Sequence, residues 1–132
     1  MNDSTNQKIF EQIIKTAQTY GWEVNNLSEK SGPVALELSK KSALGEKFSF
    51  IAKGSTPAEL SDAILTTYEK FDMKKYVEIR KAAGLASERE LRNDANSIIA
   101  MLQQLAFEVD DIARPPETFV EIVKVYKIAD LF

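Results

Sequence analysis

The clearest pattern of apolar and polar positions runs from Ser87 to Val109, where apolar residues recur at alternating spacings of four and three. This spacing places them on one stripe of an α-helix. Ser87 followed by Glu90 is typical of a capping box at the start of that helix. We expect the stripe to lie in the core of one domain, with a seam between two chains as the alternative. The stripe comprises Leu91, Ala95, Ile98, Leu102, Leu105 and Val109.

The first part of the chain predicts one helix followed by three strands. Ser4 and Gln7 have the spacing of another capping box, and Gly21 is a natural helix stop because glycine accepts a positive φ. From Trp22 to Ala52 the period changes to two residues, with turn-forming Ser and Gly between the runs. We therefore expect a three-stranded antiparallel meander with one face against helices. The alternating apolar positions are Trp22 and Val24, then Val34, Leu36 and Leu38, then Phe48, Phe50 and Ala52.

Helical spacing returns after the third predicted strand. Thr56, Pro57 and Glu59 supply an N-cap, a proline at the first helical position and the acid of a capping box. Asp72 is expected to cap a shorter helix that stops at Gly84. Together these elements predict an α+β fold with the order αβββααα.

The segment after Asp111 has a different composition. Arg114, Pro115 and Pro116 should end the preceding helix, because proline cannot continue it. The polar residues of segment 117–131 fall three to four apart, which favours a helix, while its β-branched residues leave a strand open. We expect a single α+β domain over 1–132, with a core at 4–110 and a C-terminal helical extension at 114–132. If the extension packs on a second copy, the dimer face would comprise Phe119, Val120, Val123 and Tyr126.

Composition narrows the chemistry that the chain can perform. Among its 132 residues there is no Cys and no His, which excludes thiol chemistry, Cys/His zinc sites and Ser-His-Asp triads. No phosphate-binding loop, EF-hand or hydrolase motif is present. We therefore expect a non-enzymatic protein without a cofactor. No apolar run reaches the length of a membrane span and the N-terminus does not resemble a signal peptide, so we expect a cytoplasmic protein.

The net charge of −3 is mild, but its distribution marks two candidate surfaces. A basic group could hold the phosphates of a nucleic acid; it consists of Lys74, Lys75, Arg80 and Lys81. A carboxylate group could contact basic residues of a protein partner; it consists of Asp94, Glu108, Asp110 and Asp111. Charge runs are commonly solvated faces without a partner, so both surfaces stay candidates.

Three segments carry a resemblance to a known group of proteins. They are EKFSF at 46–50, YEKFD at 68–72 and ASERELRNDANSIIAMLQQLA at 86–106. They resemble segments of small uncharacterised proteins from phages and conjugative elements of gut Firmicutes. The region of resemblance, from the first segment to the last, covers about half of the chain. In the third segment the shared positions are Ser87, Arg89, Leu91, Asp94, Ala95, Ile98, Met101, Leu102, Leu105 and Ala106.

The chain also departs from that group. The group tends to follow Phe-Asp with acidic residues and a histidine, whereas Met73, Lys74 and Lys75 stand there in this sequence. The resemblance implies a mobile-element setting, in which small proteins are often accessory and several classes inhibit host nucleases, including anti-CRISPR and anti-restriction proteins. The leading hypothesis is therefore an anti-CRISPR-type inhibitor that binds a host defence nuclease, such as a Cas effector, in the host cytoplasm. The alternatives are a nucleic-acid accessory or regulatory protein and a homodimeric structural protein.

Overall fold

The computed structural model describes residues 3–84 and 86–114, and these form four helices and three strands. The predicted α+β fold with the order αβββααα is confirmed. The extension predicted at 114–132 and its possible dimer face of Phe119, Val120, Val123 and Tyr126 lie outside the described residues, except for Arg114. The elements are α1 (Asp3–Thr19), β1 (Glu23–Asn26), β2 (Val34–Lys41), β3 (Lys47–Gly54), α2 (Pro57–Lys70), α3 (Met73–Ala82) and α4 (Glu88–Ala113).

The strands form one antiparallel meander in the order β1-β2-β3. Leu36 and Leu38 of the central strand are fully buried, as is Ala52 opposite Leu36 on β3. Because side chains alternate across a strand, these residues share the face that packs against the helices. The opposite face carries polar pairs such as Ser39 and Ser49, whose hydroxyls lie 2.8 Å apart. Strand β3 thus buries one face, as its alternation predicts, whereas on the central strand Ala35 and Ser39 of the opposite face are buried as well.

Helix α4 forms the centre of the core. All six residues of its apolar stripe are buried within a single chain, and the helix contacts α1, α2 and α3. The capping box of Ser87 and Glu90 is present at its start. The core-helix prediction is confirmed, and the alternative of a seam between two chains is wrong. The helix continues past Val109 to Ala113 and ends at Arg114, whose extended backbone is favoured before a proline.

The capping patterns in the sequence predicted the starts of α2 and α3 correctly, but not the start of α1. The capping box of Thr56 and Glu59, with Pro57 at the first helical position, is present at the start of α2. Asp72 caps α3 by accepting a hydrogen bond from the Lys75 amide. The sequence predicts Ser4 as the N-cap of α1, but that helix already includes Asp3, so this boundary is wrong by at least two residues.

Candidate functional site

A buried polar cluster joins α3, α4 and the turn between β2 and β3. The Asp94 side chain is 0% exposed. Its carboxylate accepts a hydrogen bond from the Tyr76 hydroxyl and another, of 2.8 Å, from the Leu44 amide. One turn along α4, Ser97 Oγ accepts a 3.0 Å hydrogen bond from the Ala43 amide and donates to the Asp94 carbonyl at 2.6 Å. Two consecutive turn amides are therefore held on α4.

The surroundings of Asp94 favour its ionised form. Burial raises the pKa of this carboxyl, but the polar hydroxyl of Ser42, the hydrogen bonds from Tyr76 and the Leu44 amide, and the charge of Arg80 outweigh it. The net effect is a pKa below the usual value for aspartate. Ser42 Oγ is buried and forms no hydrogen bond with a described residue, so its hydroxyl acts on Asp94 as a nearby dipole. Asp94 is thus a buried, ionised anchor for the turn.

This position corrects the sequence analysis, which placed Asp94 on a solvent-exposed surface as a partner contact. That prediction is wrong because the carboxylate is enclosed by its own hydrogen-bond donors. Asp94 follows Leu91 by three residues and precedes Ile98 by four, so it lies on the edge of the buried stripe. The spacing was a signal for burial that the polar identity of the residue obscured.

The basic group predicted on α3 is divided by ion pairs. Arg80 Nε lies 2.6 Å from Glu46 Oε2, and its guanidinium stacks 3.7 Å from the centre of the Tyr76 ring. Lys81 lies 3.6 Å from Glu88. Lys74 and Lys75 are exposed and form no ion pair with any residue in the described ranges. The positive charge available to a ligand on this helix therefore comes mainly from Lys74 and Lys75.

The remaining predicted carboxylates lie together at the C-terminal end of α4. Asp110 accepts a hydrogen bond from Ser61 of α2 at 3.1 Å and pairs with Arg114 at 2.9 Å. The same arginine contacts Asp62 at 3.0 Å. Asp111 is exposed and Glu108 is partly exposed. Arg114 therefore balances part of the acidic charge of this end of the molecule, and Asp111 and Glu108 stay accessible.

Phe107 adds an apolar group to this end that the sequence analysis did not assign to any site. Its side chain is 53% exposed, and its ring meets the Tyr68 ring of α2 edge-on at 6.3 Å. Asp111 is four residues later on the same helix, so it projects from the same side. We call Phe107, Glu108 and Asp111 the acidic aromatic surface. Phe107 falls outside the apolar stripe of α4, and this was the available sequence signal.

The buried cluster leads to a prediction at alkaline pH. Burial and the hydrogen bond to Asp94 raise the pKa of Tyr76 well above its usual value of about 10. A group that binds its proton more tightly when folded stabilises the native state below its unfolded pKa, and this stabilisation is lost as pH rises above that value. Above a pH of about 10, we expect the free energy of unfolding to fall more steeply with pH in the wild type than in Tyr76→Phe. The two slopes should differ by up to about 1.4 kcal/mol per pH unit. Urea unfolding across this pH range measures the difference, and parallel curves would contradict it.

No group of three or more acidic residues in the described part of the chain is arranged to hold a metal ion. Among helices in the described ranges, none combines the length and apolar character needed to cross a bilayer.

Comparisons of the chain with protein-family models, with curated proteins and with solved structures give no match. The candidate sites therefore rest on their own geometry.

Proposed function

We propose that this protein is a non-enzymatic inhibitor, of the anti-CRISPR type, that binds a host defence nuclease through its acidic aromatic surface. The observation that carries the proposal is the exposed Phe107 beside the accessible carboxylates of Glu108 and Asp111 at one end of α4. The surface would cover basic residues that otherwise hold nucleic acid. Of the carboxylates predicted as partner contacts, Glu108 and Asp111 belong to this surface. Asp110 is paired with Arg114 and Asp94 is buried, so neither belongs to it.

The chemistry of the surface suits a cationic protein partner. Aromatic side chains supply much of the binding energy at the centres of interfaces, where they become desolvated. Carboxylates around such an anchor accelerate encounter with a basic surface and disfavour acidic ones. Tyr68 supports the Phe107 ring from the side, which reduces the conformational entropy lost on binding. The surface thus combines an apolar anchor with charges that select a basic partner.

The choice of a nuclease as partner rests on the resemblance described above. Small proteins in mobile elements often act by stoichiometric binding, and a nuclease that grips nucleic acid must present a basic channel. This mode needs no cofactor and no catalytic residue in the inhibitor. The site of action would be the cytoplasm of the host cell.

The test is capture of partners from host lysate on the tagged protein, followed by inhibition of the captured nuclease after purification. We expect a stoichiometric nuclease complex, and we expect Glu108→Lys with Asp111→Lys to weaken its affinity about 10-fold to 100-fold, because two attractions become repulsions. The wild-type affinity should fall with added salt more steeply than that of the variant.

A matched control changes the same number of charges elsewhere. Glu11→Lys with Glu29→Lys alters two exposed acids outside the acidic aromatic surface and should keep near wild-type affinity. Phe107→Ala removes the apolar anchor without changing charge, so it separates the two contributions. Equal affinity for both double variants, or recovery of the bait alone, would overturn the proposal.

A further inference from the structure

A second surface lies between the C-terminal part of α2 and helix α3. The two helices enclose an open groove of about 490 Å³. Its apolar lining comes from both helices, and its basic residues stand at the rim. Its lining includes Lys70, Phe71, Lys75, Tyr76 and Ile79. We call this surface the α2–α3 groove.

The apolar part of the groove centres on Ile79. Its side chain is 56% exposed, which makes it the most exposed of the large apolar side chains in the described residues. Phe71 lies half-buried beside it at the end of α2, with its ring packed against Phe48 and Tyr76. An aliphatic residue that is left exposed in a concave site loses the stabilisation that burial would supply. A ligand with its own apolar group would recover it.

The charged part of the groove is cationic. Lys70 of α2 and Lys75 of α3 stand on opposite helices, are both exposed, and make no ion pair with the described residues. Arg80 also borders the groove, but Glu46 neutralises it at 2.6 Å. Asp72 also lines the groove, where it caps α3 and keeps its negative charge. Apart from the Arg80–Glu46 pair, the groove therefore has two lysines against one carboxylate beside its apolar part, so its charge is positive.

We propose that the α2–α3 groove binds an acidic peptide segment that carries an apolar side chain. The apolar side chain would contact Ile79, and its acidic neighbours would pair with Lys70 and Lys75. Single-stranded nucleic acid carries the same charge but binds by stacking its bases on free ring faces. The Tyr76 ring is covered by Arg80 and the Phe71 ring is packed against two other rings. Neither ring offers a stacking platform, so the groove favours a peptide.

This inference is independent of the nuclease proposal, because the two surfaces have opposite charge and contain no common residue. A substitution in the acidic aromatic surface could abolish binding of the nuclease while peptide binding in the α2–α3 groove persists. Conversely, reversing charges in the groove leaves the acidic aromatic surface intact. The two proposals can therefore fail separately.

The test is a titration of the isotope-labelled full chain followed by amide chemical shifts. The probe is a short peptide of alternating pairs of glutamate and leucine, and the comparison peptide has serine in place of leucine. We expect shifts confined to the C-terminal part of α2 and to α3, and an affinity about 10-fold higher for the leucine peptide. Lys70→Glu with Lys75→Glu should weaken binding about 10-fold or more, as should Ile79→Ser.

Matched variants and probes distinguish the other occupants. Lys8→Glu with Lys15→Glu reverses two exposed lysines of α1 and should leave peptide affinity unchanged. Equal shifts from single-stranded DNA would assign the groove to nucleic acid and overturn the proposal. Shifts that follow the concentration of the protein alone, without a further effect of peptide, would assign it to a second copy. Absence of shifts with the leucine peptide would also overturn it.

Discussion

Asp94→Ala is expected to lower the free energy of unfolding by about 3 kcal/mol, because it removes a buried carboxylate that joins α3, α4 and the β2–β3 turn. The substitution leaves the buried Tyr76 hydroxyl without its acceptor and the Leu44 amide without its partner. It also opens a small cavity beside the α4 stripe, since Asp94 is fully buried. Each of these effects destabilises the native state.

A double-mutant cycle separates the hydrogen bond from the cavity. Tyr76→Phe alone should cost about 1.5 kcal/mol, because the carboxylate keeps the Leu44 amide as a donor. The double variant should be more stable than the sum of the single changes predicts, because removing both partners leaves neither unsatisfied. Urea unfolding measures all three. Asp111→Ala, an exposed carboxylate on the same helix, is the matched control and should change stability by less than about 0.5 kcal/mol.

Asp94→Ala should also have a local effect at the turn and an effect that depends on pH. Amide exchange at Leu44 should accelerate in Asp94→Ala, because its acceptor is the Asp94 carboxylate. Exchange at Ala43 should also accelerate, because the turn is then held on α4 only through Ser97. The folded pKa of Asp94 is lowered, so its stabilisation is present above the unfolded pKa of about 4 and is lost as pH falls through the folded pKa. The difference between wild type and variant should therefore shrink in acid. Equal stability at neutral pH would contradict the role of Asp94.

Short-range signals predicted the order of the elements well. The capping boxes at Thr56 and Ser87 involve residues only three positions apart, and strand alternation is equally local. Such patterns are visible in the sequence because the contacts that they describe form within one turn or one strand. The α+β fold could be predicted from them.

The buried cluster could not be predicted in the same way. Arg80 and Glu46 are 34 residues apart, and Leu44 and Asp94 are 50 apart, so neither pair leaves a periodic signal. From charge along the sequence, Arg80 belongs to a basic patch and Asp94 to an acidic one. In the fold, however, Glu46 neutralises Arg80, and hydrogen-bond donors enclose Asp94. The charge available for binding depends on these long-range pairs.

The junction between β3 and α2 carries the second large effect. Only Ser55 and Thr56 separate Gly54, the last residue of β3, from the first helical residue. The first turn of α2 therefore lies directly over the end of the strand. A Cβ at Gly54 would come within 2.8 Å of both the Glu59 carbonyl carbon and the Leu60 Cα, and closer still to the Leu60 nitrogen. These are backbone atoms, so no side-chain rotation can relieve the contact.

Gly54→Ala should therefore destabilise the protein by about 3 kcal/mol, because α2 must move away from the strand and loosen Leu60 in the core. Thermal and urea unfolding measure the loss. Gly32→Ala is the matched control, since its added Cβ would lie 3.9 Å from the nearest side chain and its φ is not positive; we expect it to be neutral or stabilising by up to about 1 kcal/mol. If Gly54→Ala were as stable as Gly32→Ala, the close packing of α2 on β3 would be wrong. If the loss appears, it confirms that this glycine serves the approach of two backbones rather than a turn.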